Sequence, residues 1–368
     1  MTVRRSGNRV TSTEEQISEI ETEIRDTPYN KATQLHIGRL KAKLARLKEK
    51  RESRGSHKGT GFAPRKSGDA TCVLVGYPSA GKSTLLNALT NAKSPVGAYD
   101  FTTLNVIPGS MVHKGAHIQV LDIPGLIGGA AVGKGRGKEI ISVVRSADLI
   151  LIVVDVFCEY QVEVVKKELH DAGIRINQSP PNVAIIKKPR GGVTISGTPN
   201  AAEIDEATIK AILHDFKIHN ADVILKEDIS VDRFVDALIP GRLFVPAITV
   251  VNKIDQYSGS ATFGDVHISA EHGINIEGLK DLIFEKLRFI RVYLKPPGKA
   301  ADIENPLILR RNSTVEEVCN LMHARISRRF RYAQVWGASA RHAGQRVGLT
   351  HVLLDNDTVT LVASRNYS

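Results

Sequence analysis

Residues 70–91 read ATCVLVGYPSAGKSTLLNALTN, and no other stretch restricts the fold as much. A short apolar, β-prone run meets a glycine. A second glycine follows five positions later, then Lys-Ser and a helical stretch. Gly76 to Ser83 fits G-x-x-x-x-G-K-[ST] between a strand and a helix, the arrangement that wraps backbone N–H groups around phosphates. The start of the following helix adds its own free N–H groups. The candidate cradle is Gly76, Tyr77, Pro78, Ser79, Ala80, Gly81, Lys82, Ser83 and Thr84. Lys82 brings positive charge to the β/γ phosphates, which makes it a candidate catalytic residue. Ser83 offers a hydroxyl to Mg²⁺. Taken alone, the stretch could still be a glycine turn before a helix.

Three further motifs follow in order, each at a strand end. DIPG at 122–125 fits D-x-x-G: Asp122 is a Mg²⁺ ligand through water, and the Gly125 N–H approaches a γ-phosphate. NKID at 252–255 fits N-K-x-D. Asp255 can accept from guanine N1–H and from the exocyclic amine, a donor pair that adenine lacks. Asn252 and Lys253 brace the base and the loop. SAE at 269–271 supplies Ser269, Ala270 and Glu271, with the Ala270 N–H aimed at guanine O6. A site that hydrogen-bonds particular groups rejects analogues lacking them by factors of about 10⁴ or more. The four motifs together predict a phosphate and guanine site.

Strands alternating with helices around these motifs predict a parallel sheet covered on both faces. The interval from Asp155 to Asn252 is 97 positions, against roughly 30 for one strand–helix–strand crossover. The excess, 174–240, reads as an inserted α/β subdomain. VAIIKKPRGGVTISG is its expected hairpin, turned at PRGG. EIDEATIKAILHDF and SVDRFVDALI are its amphipathic stretches. The tail 290–368 reads as two strands, a helix starting at Ser313 or Thr314, and further strands, a β-grasp pattern. Residues 1–67 read as a helical hairpin and linker. Thr13 and Gln16 form its expected capping box. Ile17, Ile20 and Ile24 share one helical face. Ile37, Leu40, Leu44 and Leu47 form a second stripe that should pack on the first helix. The GTPase core is then 68–173 and 241–289.

The chain has 368 residues and a net charge of +11. Residues 31–66 hold 12 Lys or Arg against Glu49 and Glu52 alone, so nearly all the excess charge sits there. With one apolar face packed, Lys41, Lys43, Arg46, Lys48, Lys50 and Arg51 should face solvent, either as a solubilising surface or along a polyanion. The Gly-rich loop 128–139 adds Lys134, Arg136 and Lys138. No run of about 18 apolar residues appears and the first residues lack a signal-peptide core, so no membrane association and a cytoplasmic location are expected. Cys72, Cys158 and Cys319 lack metal or redox spacing and read as buried small hydrophobes. The 12 histidines form no metal spacing, and His113 and His117 read as surface residues.

The stretches GYPSAGKSTLLNALT, YDFTTLNVIPG, LDIPGLIGGAAVGKGRGKEIISVVRSADLILIVVD, NKID and SAE resemble the Obg-related GTPases, and within them the developmentally regulated GTP-binding protein family. YNKATQLHIGRLKAKLARL and GQRVGLTHVLLDNDTVTLV carry the resemblance to both ends. It implies a Ras-like P-loop core with an inserted domain, an N-terminal helical segment, a C-terminal TGS domain, and work with ribosomes, rRNA or a protein partner. It assigns Thr103 of FTTL as the switch threonine, a Mg²⁺ ligand and γ-phosphate sensor. It also sets two departures in relief. Leu126 stands where Ras-like enzymes carry a water-orienting Gln, which implies slow intrinsic hydrolysis of GTP to GDP unless another group or a cation helps. Ser79 stands where K⁺-stimulated relatives often carry Asn, leaving a K⁺ site open. Two other readings remain: a ribosome- or RNA-binding scaffold with negligible turnover, and an ATPase, against which NKID argues.

Overall fold

The computed structural model describes residues 12–53, 68–90, 107–123, 143–197, 204–259, 261–322 and 329–364. Thr103, Gly125, Leu126 and the 128–139 loop lie outside them.

In chain order the elements are α1 (Thr13–Asp26), α2 (Gln34–Ser53), β1 (Ala70–Val75), α3 (Lys82–Leu89), β2 (Ile107–His113), β3 (Ala116–Asp122), β4 (Leu149–Asp155), α4 (Tyr160–Asp171) and β5 (Ile174–Ile176). Then come β6 (Val183–Lys187), β7 (Val193–Gly197), α5 (Glu206–Asp215), β8 (Ala221–Leu225), α6 (Val231–Leu238), β9 (Leu243–Val245), β10 (Ala247–Asn252), β11 (Val266–His267) and α7 (Ile276–Lys286). The tail holds β12 (Phe289–Leu294), β13 (Leu307–Arg310), α8 (Val315–Met322), β14 (Phe330–Trp336), β15 (Gln345–Val347) and β16 (Asp357–Ala363). The chain forms two compact units, one from 61–177 and 245–368, the other from 1–60 and 178–244.

In the first unit a six-stranded sheet runs β11-β10-β4-β1-β3-β2. All its pairs are parallel except β2–β3, which turns at Lys114-Gly115, both in left-handed conformation. That is the backbone a tight two-residue hairpin demands. β1 and β10 are buried at every residue, which explains their near-continuous apolar sequence. The core of this sheet runs from Cys72 and Leu74 through Leu151 and Val250 to Leu279 on α7. Its parallel strands all end at one edge, which is where the sequence motifs lie. The tail has its own five-stranded sheet, β13-β12-β16-β14-β15, with Val315, Val318 and Cys319 of α8 in its core. β15 was not foreseen.

In the second unit the sequence expectations need three corrections. The capping box belongs to Ser12 and Glu15, one residue earlier than Thr13 and Gln16. The run 183–197 is no paired hairpin: β8 lies between β6 and β7, antiparallel to the first and parallel to the second. Asn220, just before β8, holds the split turn, accepting from the Gly192 N–H at 2.8 Å and the Lys188 N–H at 3.0 Å. Finally, α2 buries more than one face. Ile37 and Leu40 are buried as expected, and Leu44 and Leu47 partly so. But Ala42 and Ala45 join a second core with Ile209, Ile212, Val223 and Phe234 of the insertion. Gly38 sits so close to α5 that an added Cβ would lie 2.7 Å from Thr208 Cγ2. Hairpin and insertion, expected as separate pieces, share one interior.

The basic side chains of α2 follow from that packing. Lys41 pairs with Asp232 at 2.7 Å and Lys48 with Glu21 at 2.8 Å, and both are largely covered. Arg46 donates to the Asp215 carbonyl. Lys43 is exposed as expected; Arg46 and Lys50 are exposed but engaged, and the Arg51 side chain lies outside the described residues. Cys72 and Cys319 are buried, whereas Cys158 is only half-buried. His117 is exposed, but His113 is mostly covered and bonded to Asp281 at 2.7 Å. Among the described residues no helix is long and apolar enough to cross a membrane, and no His/Cys/Asp/Glu group is arranged to hold a metal.

Candidate functional site

The loop after β1 is shaped by its two glycines. A Cβ on Gly76 would lie 2.2 Å from the Val153 carbonyl of β4, so only glycine lets the chain leave the sheet there. Gly81 has φ 89°, and a Cβ on it would lie 2.2 Å from Asn252 Nδ2. Between them Ser79 also adopts a left-handed conformation, at φ 65°. α3 starts at Lys82 with no side-chain cap, so the first-turn N–H groups are not met by a capping side chain. Tyr77 is half-buried, while Pro78, Ser79, Ser83 and Thr84 are exposed on the open side of the loop. Ala80 is buried beneath it.

Lys82 is only 8% exposed. Its ammonium donates to the carbonyls of Gly76 at 3.0 Å and Tyr77 at 2.9 Å. Burial lowers its pKa, and the Asp122 charge works the other way. Ser83 Oγ donates to Asp122 Oδ2 at 2.6 Å. The second oxygen, Asp122 Oδ1, is buried and has no hydrogen-bond partner among the described residues. A hydroxyl and a carboxylate, with one lone-pair-rich oxygen left over, form an oxygen donor set suited to Mg²⁺. Ser83 and Asp122 are the residues that could hold such an ion here. Thr103, the third expected ligand, and Gly125, the expected γ-phosphate contact, lie outside the described residues.

The base corner lies at the ends of β10 and β11. Asn252 is buried and uses both ends of its amide: Nδ2 donates to the Ala80 carbonyl, and Oδ1 accepts from the Ala270 N–H, each at 3.0 Å. One side chain thus ties the phosphate loop to the SAE turn. The Ala270 N–H, assigned from sequence to guanine O6, is already engaged by Asn252 in this structure. Lys253 adopts a left-handed conformation, at φ 67°, and its ammonium meets Asp155 Oδ2 at 2.6 Å. Asp255 carries its carboxylate into the corner with 16% of the side chain exposed. A hydrogen bond from the Ser269 side chain, helped by the nearby His272 and Lys253, holds its carboxyl below the usual range against the cost of burial. Glu271 is exposed on the following turn.

Two residues of this corner escaped the sequence reading. Asp155, the last residue of β4, lies in register with Asn252; besides Lys253 it accepts from the Phe157 N–H at 3.1 Å. Its signal was an aspartate ending the apolar run LILIVVD, the same pattern that marked Asp122. His272 lies beside Asp255, Nδ1 to Oδ2 3.6 Å, and its position after SAE gave no motif to read.

Comparisons with known proteins agree with this geometry. Residues 71–188 match the family described as 50S ribosome-binding GTPase, 190–289 the C-terminal region of that domain, and 290–363 the TGS domain. An uncharacterized GTP-binding protein of Methanocaldococcus jannaschii is 54% identical over 364 residues, covering 96% of this chain and 93% of its own. The developmentally-regulated GTP-binding protein 1 homolog of Dictyostelium discoideum is 45% identical, covering 95% and 98%. Human developmentally-regulated GTP-binding protein 2 is 42% identical, with the same coverage. With a Ras-like sheet, a TGS tail and likeness over nearly its whole length, this chain belongs to the developmentally regulated GTP-binding protein family.

Proposed function

We propose that this protein is a Mg²⁺-dependent GTPase switch that works with ribosomes or rRNA. The observation that carries the chemical half is the junction of three groups at one sheet edge: the buried Lys82 ammonium, the Ser83–Asp122 pair with its spare oxygen, and the Asp255 carboxylate beside His272. Lys82 would exchange two backbone carbonyls for phosphate oxygens. This costs little reorganisation because the ammonium already points along the loop. Ser83 and Asp122 would hold Mg²⁺, with Thr103 as the switch ligand; the ion supplies neutralisation of phosphate charge. Gly125 would report the γ-phosphate. Leu126 offers no group to orient water, so turnover should be slow without help from a partner or a cation such as K⁺ at the Ser79 loop. Asp255 would select guanine.

The ribosomal half rests on the name of the matched family and on basic charge concentrated in 31–66. We place the GTPase domain at 68–173 with 241–289, the TGS domain at 290–368, and the protein in the cytoplasm. The pairing of Lys41 and Lys48 narrows the basic surface to groups such as Lys31 and Lys43. The missing water-orienting side chain favours one alternative, a scaffold that keeps GTP as a structural ligand. Single-turnover GTP hydrolysis with and without ribosomes, in Na⁺ and in K⁺, separates the two. A switch shows a rate raised by ribosomes or K⁺. A rate indistinguishable from free GTP in every condition would leave the scaffold.

A further inference from the structure

The turn that carries Asp255 starts from a strained residue. Lys253 has φ 67° and ψ 34°, a left-handed conformation that a residue with a Cβ keeps only where its surroundings hold it. One tight 3-10 turn follows, Ile254–Gln256, with Asp255 in its middle. Three contacts to residues outside NKID hold this turn. The Ile254 N–H donates to the Ile268 carbonyl at 3.2 Å. The Lys253 ammonium donates to Asp155 Oδ2 at 2.6 Å. Tyr257, directly after the turn, meets Phe157 edge to face, with ring centroids 5.7 Å apart and planes at 79°.

Asp155 takes part in two of the three. Its Oδ2 takes Lys253, and its Oδ1 accepts from the Phe157 N–H at 3.1 Å, which fixes the start of the loop that presents the Phe157 ring. The backbone of Asp155 is held independently. It lies in register with Asn252 across β4 and β10, and the next residue, Val156, donates its N–H to the Asn252 carbonyl at 3.0 Å. One carboxylate on a rigid strand end thus grips the turn at both ends, Lys253 directly and Tyr257 through Phe157. Asp155 and Lys253 are mostly covered, so salt and water screen their pair less than a surface pair. Phe157 and Tyr257 are both exposed, and neither ring belongs to the core of the sheet.

We infer that Asp155 is a positioning residue of the guanine site: it clamps the turn 253–257 at both ends and so holds the Asp255 carboxylate where the edge of the base meets it. This rests on the reading of the corner as a guanine site. Two parallel hydrogen bonds require a carboxylate fixed in place and in plane. Released from Asp155, Lys253 can relax out of its left-handed conformation and carry Asp255 with it. Adenine offers Asp255 no donor pair, and the phosphate loop grips either nucleotide. Loss of the clamp should therefore weaken GTP and leave ATP as it was.

The test is a pair of competition titrations, GTP and ATP, on the full chain. The variants are Asp155→Ala, Asp155→Asn, Lys253→Met and the double variant Asp155→Asn/Lys253→Met. Asp155→Ala removes both contacts and should weaken GTP about tenfold or more, with ATP unchanged. Asp155→Asn keeps an acceptor for the Phe157 N–H but loses the charge that holds Lys253, and should weaken GTP by about three- to tenfold. It decides the matter if the alanine variant does not fold. In the Lys253→Met background, Asp155→Asn should add less than about twofold, because the contact is already gone. A GTP/ATP ratio unchanged in the Asp155 variants would overturn the inference, and so would an equal fall for both nucleotides, the mark of a structural role alone. Full additivity of the two substitutions would overturn the action through Lys253. A wild type without preference for GTP over ATP would overturn the guanine reading itself, and the inference with it.

Discussion

At the phosphate corner, Lys82 is buried with its ammonium resting on two carbonyls, and Asp122 keeps a buried oxygen without a partner among the described residues. In the hairpin–insertion unit the arrangement is reversed. Lys41, Arg39 and Lys48 each meet an acid toward the surface, and the interior is apolar from Ala42 to Phe234. The first region holds polar groups ready for something absent from the chain. The second pairs its surface charges within itself, and its interior is apolar apart from groups such as Thr208, whose buried Oγ1 has no hydrogen-bond partner among the described residues. Buried charge without full pairing is costly, so its persistence at a strand edge marks a site. Surface pairs of the second kind are worth about 0–1 kcal/mol each, and there the apolar contacts decide.

The largest expected effect lies in the self-sufficient region. Deleting 1–60 strips α2 from Ile209, Ile212 and their neighbours. Each fully buried aliphatic side chain is worth about 1.5–3 kcal/mol, and several together rival the roughly 5–15 kcal/mol of a whole domain. Residues 178–244 should therefore lose protection in amide hydrogen exchange in the truncated chain. Retained protection would show that the hairpin is dispensable to that core. The same coupling means that loss of RNA binding on truncation could come from unfolding.

Lys82→Ala comes next. It removes a charge-assisted contact of about 1.5–3 kcal/mol, so GTP affinity should fall about 10- to 150-fold, while the apo protein melts no lower than wild type because a desolvated ammonium has been removed. A large drop in apo melting would make Lys82 a structural group and erase the contrast between the regions. Gly38→Ala gains helix propensity but forces a Cβ against Thr208 Cγ2. Overpacking of this kind costs about 1–3 kcal/mol against about 1 gained, so a net loss of up to ~2 kcal/mol is expected in denaturant melts, with GTP affinity unchanged. The smallest effect should come from Lys43→Ala, on an exposed position of α2. It should leave stability within about 0.5 kcal/mol. If this face lies on RNA, it should reduce the salt slope of binding by about one.

The contrast also explains what the sequence made legible. Each nucleotide motif occupies a few residues around a strand end, and local spacing suffices to read it. Asp155 and Lys253 touch only because β4 and β10 are neighbours, a fact no local pattern carries. The PRGG turn looked like a hairpin because β6 and β7 are consecutive. That β8 enters between them depends on a pairing settled across the insertion. Ser12/Glu15 and Thr13/Gln16 both fit the capping-box pattern one residue apart, and the extended backbone at Ser12 makes it the cap. On α2 the sequence offered Ile37 and Leu40 as a stripe but gave no hint at Gly38, Ala42 and Ala45, because small residues fit any face until a neighbouring helix approaches.

The central claim is that Asp255 reads guanine at a site built on the sheet edge. Asp255→Asn tests it by exchanging the acceptor pair for one acceptor and one donor, the complement of the xanthine edge. Titrating the variant with GTP and XTP should show GTP weakened by about 10²-fold and XTP bound more tightly than GTP. Unaltered GTP affinity, or no gain for XTP, would contradict the assignment.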